Sequence, residues 1–257
     1  MDFMRFQASA NQFFMKWSYR IARISGIDVR IHITFLLLPA LFGYSGWRDA
    51  GWPGAVGEVS FIAALFVCVL LHEFGHALAG RRYGIRTPDI TLLPIGGVAR
   101  MESIPDKPLT ELVIAVAGPA VNVAIALILT AILALTGGVL AGPDSTGRIM
   151  LHNLLIVNCG LIIFNMLPAF PMDGGRVLRA LLAMKLSHLT ATKIAGRIGQ
   201  VLACAFAVLG FFGNPMLILI ALFVFNGAQQ ELEYALQRHE YEKMLRDLAT
   251  KHTPFVQ

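Results

Sequence analysis

His72-Glu73-Phe74-Gly75-His76 is the stretch of this chain whose residue types and spacing could do chemistry. Residues i and i+4 of an α-helix lie one above the other, so both imidazoles can reach one metal ion. A glutamate beside them can take a proton from water held by that metal, the arrangement of metal-assisted hydrolysis. A pair of core histidines on a buried helix would give the same letters. The flanking residues separate the two readings. Leu70-Leu71 precede the pattern and Ala77-Leu78-Ala79 follow it, so three ionisable side chains sit in a strongly apolar run. Such groups cost about 2.5–3.5 kcal/mol each, when charged, at the centre of a bilayer, and they are kept there for function.

The elements that must position them are membrane helices. Of 257 residues, 56% are hydrophobic and 14% charged, where a soluble domain carries about 25% charged residues. A span needs about 20 mostly apolar residues. Candidate spans run over 31–46, 56–80, 112–140, 149–170, 194–212 and 216–228, separated by Trp52-Pro53-Gly54, Gly137-Gly138 and Gly213-Asn214-Pro215. The expected fold is an all-α polytopic membrane protein of about six transmembrane helices. Residues 1–30 form an N-terminal segment, either an interfacial helix or a flexible terminus, and no cleavable signal peptide is expected. Residues 31–228 form the membrane domain, with a core at about 56–179. Residues 229–257 read as a cytoplasmic amphipathic tail.

Six spans put both termini on one side. On that assumption all 21 Lys and Arg except Arg48 and Arg148 fall on the side of the termini, which the positive-inside rule makes the cytoplasm. The net charge of +5 is therefore an orientation signal, and nucleic-acid binding is not expected. Cys68, Cys159 and Cys204 lie in apolar stretches without metal-binding spacing and read as buried packing residues.

A catalytic zinc usually has three protein ligands and leaves its fourth position to water. His72 and His76 lie roughly 7–13 Å inside the cytoplasmic boundary at 1.5 Å per helical residue. Asp173 follows a span that runs to the same side and so matches that depth. His152 begins that span at the opposite face, and His188, His239 and His252 fall in cytoplasmic segments. His32 is the rival, at the start of the first span, with a hydrogen-bonding role as its alternative. Asp173 is the better ligand. Its segment, Asn165-Met166-Leu167-Pro168-Ala169-Phe170-Pro171-Met172-Asp173-Gly174-Gly175, cannot stay a regular helix, and irregular backbone at this depth is tolerated where it lines a wet cavity.

His72-Glu73-Phe74-Gly75-His76 on one span and this Asn165–Gly175 segment on a later one resemble the site-2 protease family of intramembrane metalloproteases. Gly118-Pro119-Ala120-Val121-Asn122 is similar to that family's Gly-Pro-x-x-Asn element. The resemblance implies one Zn2+ per chain held by His72, His76 and Asp173, with Glu73 as the catalytic acid/base. It also implies that Asn165 orients the substrate or stabilises the oxyanion. Leu92–Arg100, with Gly96, Gly97 and Val98, resembles the family's re-entrant β loop between spans two and three. An edge strand there could pair with an unwound substrate segment; an amphipathic connector is the alternative. Some relatives carry a nucleotide-binding pair after the last span; none is expected here.

The implied activity is hydrolysis of peptide bonds in or near transmembrane segments of membrane-anchored protein substrates, in the cell membrane near its cytoplasmic side. A homo-oligomer is compatible with this reading. The alternatives are a membrane metal-ion transporter and a non-catalytic protease-like membrane protein. A transporter calls for ligands spread through the bilayer, whereas the polar groups of this chain gather at one depth.

Overall fold

Two limbs of one long helix, folded back on each other, place the His-Glu-x-x-His stretch beneath a small sheet. The computed structural model describes residues 17–103, 105, 107–136 and 146–251. In chain order these form β1 (Ser18–Ile24), β2 (Ile27–His32), a 3-10 turn (Ile33–Leu36), α1 (Leu37–Arg82), β3 (Asp89–Leu93) and β4 (Gly96–Arg100). There follow α2 (Pro108–Leu135), α3 (Thr146–Asn165), α4 (Asp173–Ala183), α5 (His188–Phe212) and α6 (Met216–Lys251). The chain divides into two compact units, one from residues up to Pro105 with Val116–Ile163, the other from Asp106–Ala115 with Phe164 onward.

In the first unit α1 breaks at Ala50 and Gly51, the latter at φ 65° and ψ −152°, a conformation that glycine adopts without steric cost. Pro53 then falls in the first turn of the second limb, where its missing N–H is not needed. The expected boundary at 52–54 therefore moves back by one or two residues. The limbs touch through glycine: a Cβ on Gly54 would lie 2.1 Å from the Gly46 carbonyl oxygen. Phe35 and Phe66 meet edge to face at 4.5 Å and pack with Ile62 and Leu92.

This hairpin of limbs makes the sheet possible. The strand order is β1-β2-β3-β4, antiparallel except for β2 beside β3. Parallel neighbours require a long crossover, and α1 is that crossover. Ile27, Val29 and Ile90 alternate at period two to pack on Phe74 and Ala77 of α1. Asp89 pairs with Arg100 across β3 and β4, where the two are directly opposite, and so fixes the register.

The sheet exceeds the short β loop expected between spans two and three, and it corrects the reading of residues 18–32. They form a hairpin with a turn at Ser25 and Gly26, both at positive φ. Ile-Asp-Val-Arg-Ile-His alternates at period two, not 3.6, so a strand buries its apolar face where a helix could not. Residues 1–16 lie outside the described residues, as does the expected Gly137-Gly138 connector.

Among the described residues, five helical stretches are long and apolar enough to cross a membrane: Ile33–Arg82, Pro108–Leu135, Gly147–Asn165, His188–Phe212 and Met216–Leu248. The break in the first yields the six stretches expected. Leu127, Ile163, Val201, Phe211 and Phe212 expose large apolar side chains on these helices, as lipid-facing surfaces do. The protein is a multi-pass membrane protein. Cys68 is buried beside Leu129 and Leu154, whereas Cys159 and Cys204 are exposed, contrary to their expected burial.

In the second unit α5 and α6 pack on the loop that leads into α4. Ala169 and Met172 are buried with Ala203 and Val224, and Phe170 with Ala195 and Ala228. A Cβ on Gly227 would lie 2.4 Å from Pro171 Cδ, so this glycine admits the loop. The last span and the tail form one helix, since nothing between Ala228 and Lys251 interrupts it.

Candidate metal centre

His72, Glu73 and His76 stand on the second limb of α1. Both imidazoles are buried and Glu73 is half-buried. The two Nε2 atoms face each other at 3.1 Å, with the rings nearly perpendicular at 81°. Two nitrogens bound to one tetrahedral zinc at about 2.0–2.1 Å would stand about 3.3 Å apart. The pair is therefore spaced as two ligands of one ion.

The neighbouring helix leaves room in front of these nitrogens. A Cβ on Gly118 of α2 would lie 2.2 Å from His76 Nε2 and 2.8 Å from His72 Nε2. Any side chain there would fill the place an ion needs. The helices approach closely because Gly75 also lacks a side chain: a Cβ on it would stand 2.6 Å from the Ala117 carbonyl oxygen. On its other side, His72 Nδ1 lies 2.6 Å from Asn122 Oδ1. The donor chemistry, the spacing and the cradle left by Gly118 fit a zinc ion.

The sheet reaches the same limb. Gly97 pairs with Leu92 and Ala99 with Ile90, so Gly97 and Ala99 share the face of β4 that turns toward α1. A Cβ on Gly97 would lie 2.6 Å from Glu73 Cγ. Glycine is thus what lets this strand pass over the glutamate. Val98, next along the strand, faces away and is exposed, and Gly96 starts β4 after the turn at φ 137°. Beyond β4 the described sheet ends, leaving it as an edge strand. His32, the rival ligand, has the hydrogen-bonding role given as its alternative: its Nδ1 accepts from the Thr34 backbone N–H and caps the 3-10 turn.

Asn165 and Asp173 belong to the second unit. Asn165 is the half-buried last residue of α3, and Asp173 is the buried first residue of α4. The partial positive charge at a helix N-terminus favours a carboxylate there. Residues 166–172 make successive turns, as their two prolines demand: Ala169 N–H donates to Leu167, and Met172 N–H to Ala169. The loop returns so tightly that a Cβ on Gly174 would stand 2.2 Å from the Leu167 carbonyl oxygen. A rigid loop and a helix end therefore hold Asp173.

One feature of this unit escaped the sequence. Arg179 of α4 reads there as one more orientation charge, yet its side chain is 2% exposed. Its Nε and Nη2 donate to Glu111 Oε1 at 2.8 and 2.6 Å, and its Nη1 to Glu231 Oε2 at 2.6 Å. The guanidinium also stands 4.9 Å over the Phe170 ring. Burial pulls its pKa down, but the carboxylates of Glu231 and Glu111 outweigh that and hold it above the ordinary value. Glu231 reads in the sequence only as one charge of the amphipathic tail. Asn158, an amide in the middle of an apolar span, carried the clearer signal, because such a group is costly without a partner.

The sequence model of Peptidase family M50 matches residues 60–154 and 145–207, more than half of the chain. A zinc metalloprotease of Methanocaldococcus jannaschii is 42% identical over 219 residues, covering 84% of this chain and 61% of the relative. Stage IV sporulation protein FB of Bacillus subtilis is 26% identical over 195 residues, 75% of this chain and 65% of that protein. The chain thus spans a little under two thirds of the length of these relatives. The solved structure of the site-2 protease from Methanocaldococcus jannaschii superposes with a TM-score of 0.59 at 38% identity, covering 84% of this chain and 95% of that one. With the family's match lying over the His-Glu-x-x-His limb, the glycine cradle and the loop before α4, the chain belongs to Peptidase family M50.

Proposed function

We propose that this protein is a zinc-dependent endopeptidase that hydrolyses peptide bonds in or near transmembrane segments of membrane-anchored proteins. The observation that carries the reading is the pair of buried imidazole nitrogens 3.1 Å apart beside Glu73, in front of a position that only glycine can occupy. His72, His76 and Asp173 are three buried side chains with one ligand atom each, two neutral nitrogens and a carboxylate oxygen, the donor set of a catalytic zinc. When bound there, zinc supplies Lewis acidity toward a carbonyl and lowers the pKa of water.

The other steps belong to the chain. Glu73 takes the proton of the attacking water and hands it to the leaving amine. Asn165 orients the scissile carbonyl. The β4 edge at Gly96, Gly97 and Val98 pairs with an unwound substrate segment, exposing a peptide bond that a helix would shield with its own hydrogen bonds. The active site lies near the cytoplasmic side with both termini cytoplasmic, a topology supported by the distribution of Lys and Arg. Residues 31–228 carry the protease, with its core at 56–179, between the N-terminal segment 1–30 and the tail 229–257.

The test is Glu73→Gln in the full chain. It should retain bound zinc, measured by elemental analysis, while cleavage of a membrane-anchored substrate falls by about 10²–10⁴-fold. Undiminished cleavage would overturn the mechanism.

A further inference from the structure

Behind His72 runs a line of neutral side chains that the reaction itself does not use. Asn122 on α2 and Asn158 on α3 are both fully buried. Asn158 Nδ2 lies 2.8 Å from the Leu154 carbonyl oxygen one turn back along its own helix. Asn122 Nδ2 lies 3.0 Å from Asn158 Oδ1, and Asn122 Oδ1 lies 2.6 Å from His72 Nδ1.

The direction of this line follows from its fixed end. A backbone carbonyl can only accept, so the amide NH2 of Asn158 must face Leu154, leaving its oxygen toward Asn122. That oxygen also only accepts, so Asn122 turns its NH2 to it and its own oxygen to His72. An amide oxygen cannot donate either. The proton of neutral His72 therefore sits on Nδ1, and Nε2, the nitrogen that faces His76, keeps its lone pair. The alternative tautomer would set a bare nitrogen against a bare oxygen at 2.6 Å.

We infer that Asn122 and Asn158 are positioning residues that fix the tautomer and ring orientation of His72 as a metal ligand, with the Leu154 carbonyl as the reference that sets the sense of the relay. The inference rests on the zinc reading above. It deepens that reading by giving an amide pair the task that a carboxylate or a single carbonyl commonly performs behind a metal-bound histidine. Neutral amides suit this depth, since a second carboxylate beside the ligands would add a charge to an apolar span.

Two measurements on the full-length protein in detergent test it. In the metal-free protein, 15N-histidine NMR should show His72 protonated on Nδ1. Asn122→Leu should give a tautomer mixture, and Asn122→Asp, which still accepts from Nδ1, should restore the wild-type pattern. Zinc affinity by chelator competition should fall about 10–100-fold in Asn122→Leu and several-fold in Asn158→Leu, which frees Asn122 to turn over. Asn122→Asp, whose second oxygen meets the acceptor Asn158 Oδ1, tests the tautomer and not the affinity. If Asn122→Leu fails to fold, the Asp and Asn158→Leu variants carry the test. Wild-type zinc binding with unchanged affinity in Asn158→Leu, or an Nε2-protonated His72 in the wild type, overturns the relay. A wild type that shows the Nδ1 tautomer but binds no zinc would leave the relay standing and remove the zinc reading instead.

Discussion

Each unit buries a polar cluster in an apolar surrounding, and the two are built from opposite materials. In the first, His72, Asn122 and Asn158 carry no fixed charge and are joined end to end, with Asn122 between the other two. In the second, Arg179 is charged and central, clamped by Glu111 and Glu231 and stacked on Phe170. A neutral line transmits a direction, that of donor to acceptor, at a modest desolvation cost. A charged hub conveys no direction but resists being pulled apart, because removing its central cation strands two carboxylates. The first arrangement suits the orientation of a ligand. The second suits the fastening of α4, whose first residue is Asp173, to the start of α2, to α6 and to the loop at Phe170.

The comparison is most severely tested at the hub. Arg179→Met keeps the bulk but leaves two carboxylates without their counter-ion, one of them 1% exposed. Breaking a buried ion pair from one side costs about 3–5 kcal/mol. Thermal or denaturant unfolding in detergent should show a loss of that size. A loss below about 1 kcal/mol would mean that the hub behaves like a surface pair and fastens nothing.

Less is at stake energetically where the first unit meets the ion. In Gly118→Ala the new methyl would press on His76 Nε2, at 2.2 Å in the unrelaxed structure. Zinc affinity should drop by at least 10–100-fold, or about 1.4–2.7 kcal/mol. Alanine is the better helix former by up to about 1 kcal/mol, so the unfolding temperature of the metal-free protein should hold or rise while zinc binding is lost. Loss of both together would show that the glycine serves helix packing rather than the metal.

How much of this could be read from the letters follows from the range of each signal. The His72, Glu73 and His76 pattern is local, and the loop before Asp173 announces itself through Pro168, Pro171, Gly174 and Gly175. The spans follow from apolar runs, and their number survived the discovery that α1 bends at Gly51. The β1–β2 hairpin was also local, in the period-two alternation of residues 27–32, but basic and aromatic residues around it suggested an interfacial helix. What could not be read was pairing across the chain. Arg179 and Glu111 are 68 residues apart, and nothing near either position marks the other. Gly118 and Gly97 are similar: a glycine shows where a side chain is missing, but only the fold shows that His76 or Glu73 fills the space.

The finest test separates the two arms of the hub. Glu111 receives two of the three hydrogen bonds to Arg179 and is 1% exposed, whereas Glu231 receives one and is 30% exposed. In Glu231→Gln the amide oxygen still accepts from Nη1, and the cluster changes from a net charge of −1 to a neutral Arg179–Glu111 pair. Partial solvent access screens the charge that is lost, so the expected cost is at most about 0.5–1 kcal/mol. Unfolding of Glu231→Gln beside Glu111→Gln measures the asymmetry. Glu111→Gln removes the enclosed partner of a buried cation and should cost several times more. Equal costs would mean that both arms carry the cation alike, so that exposure does not rank them.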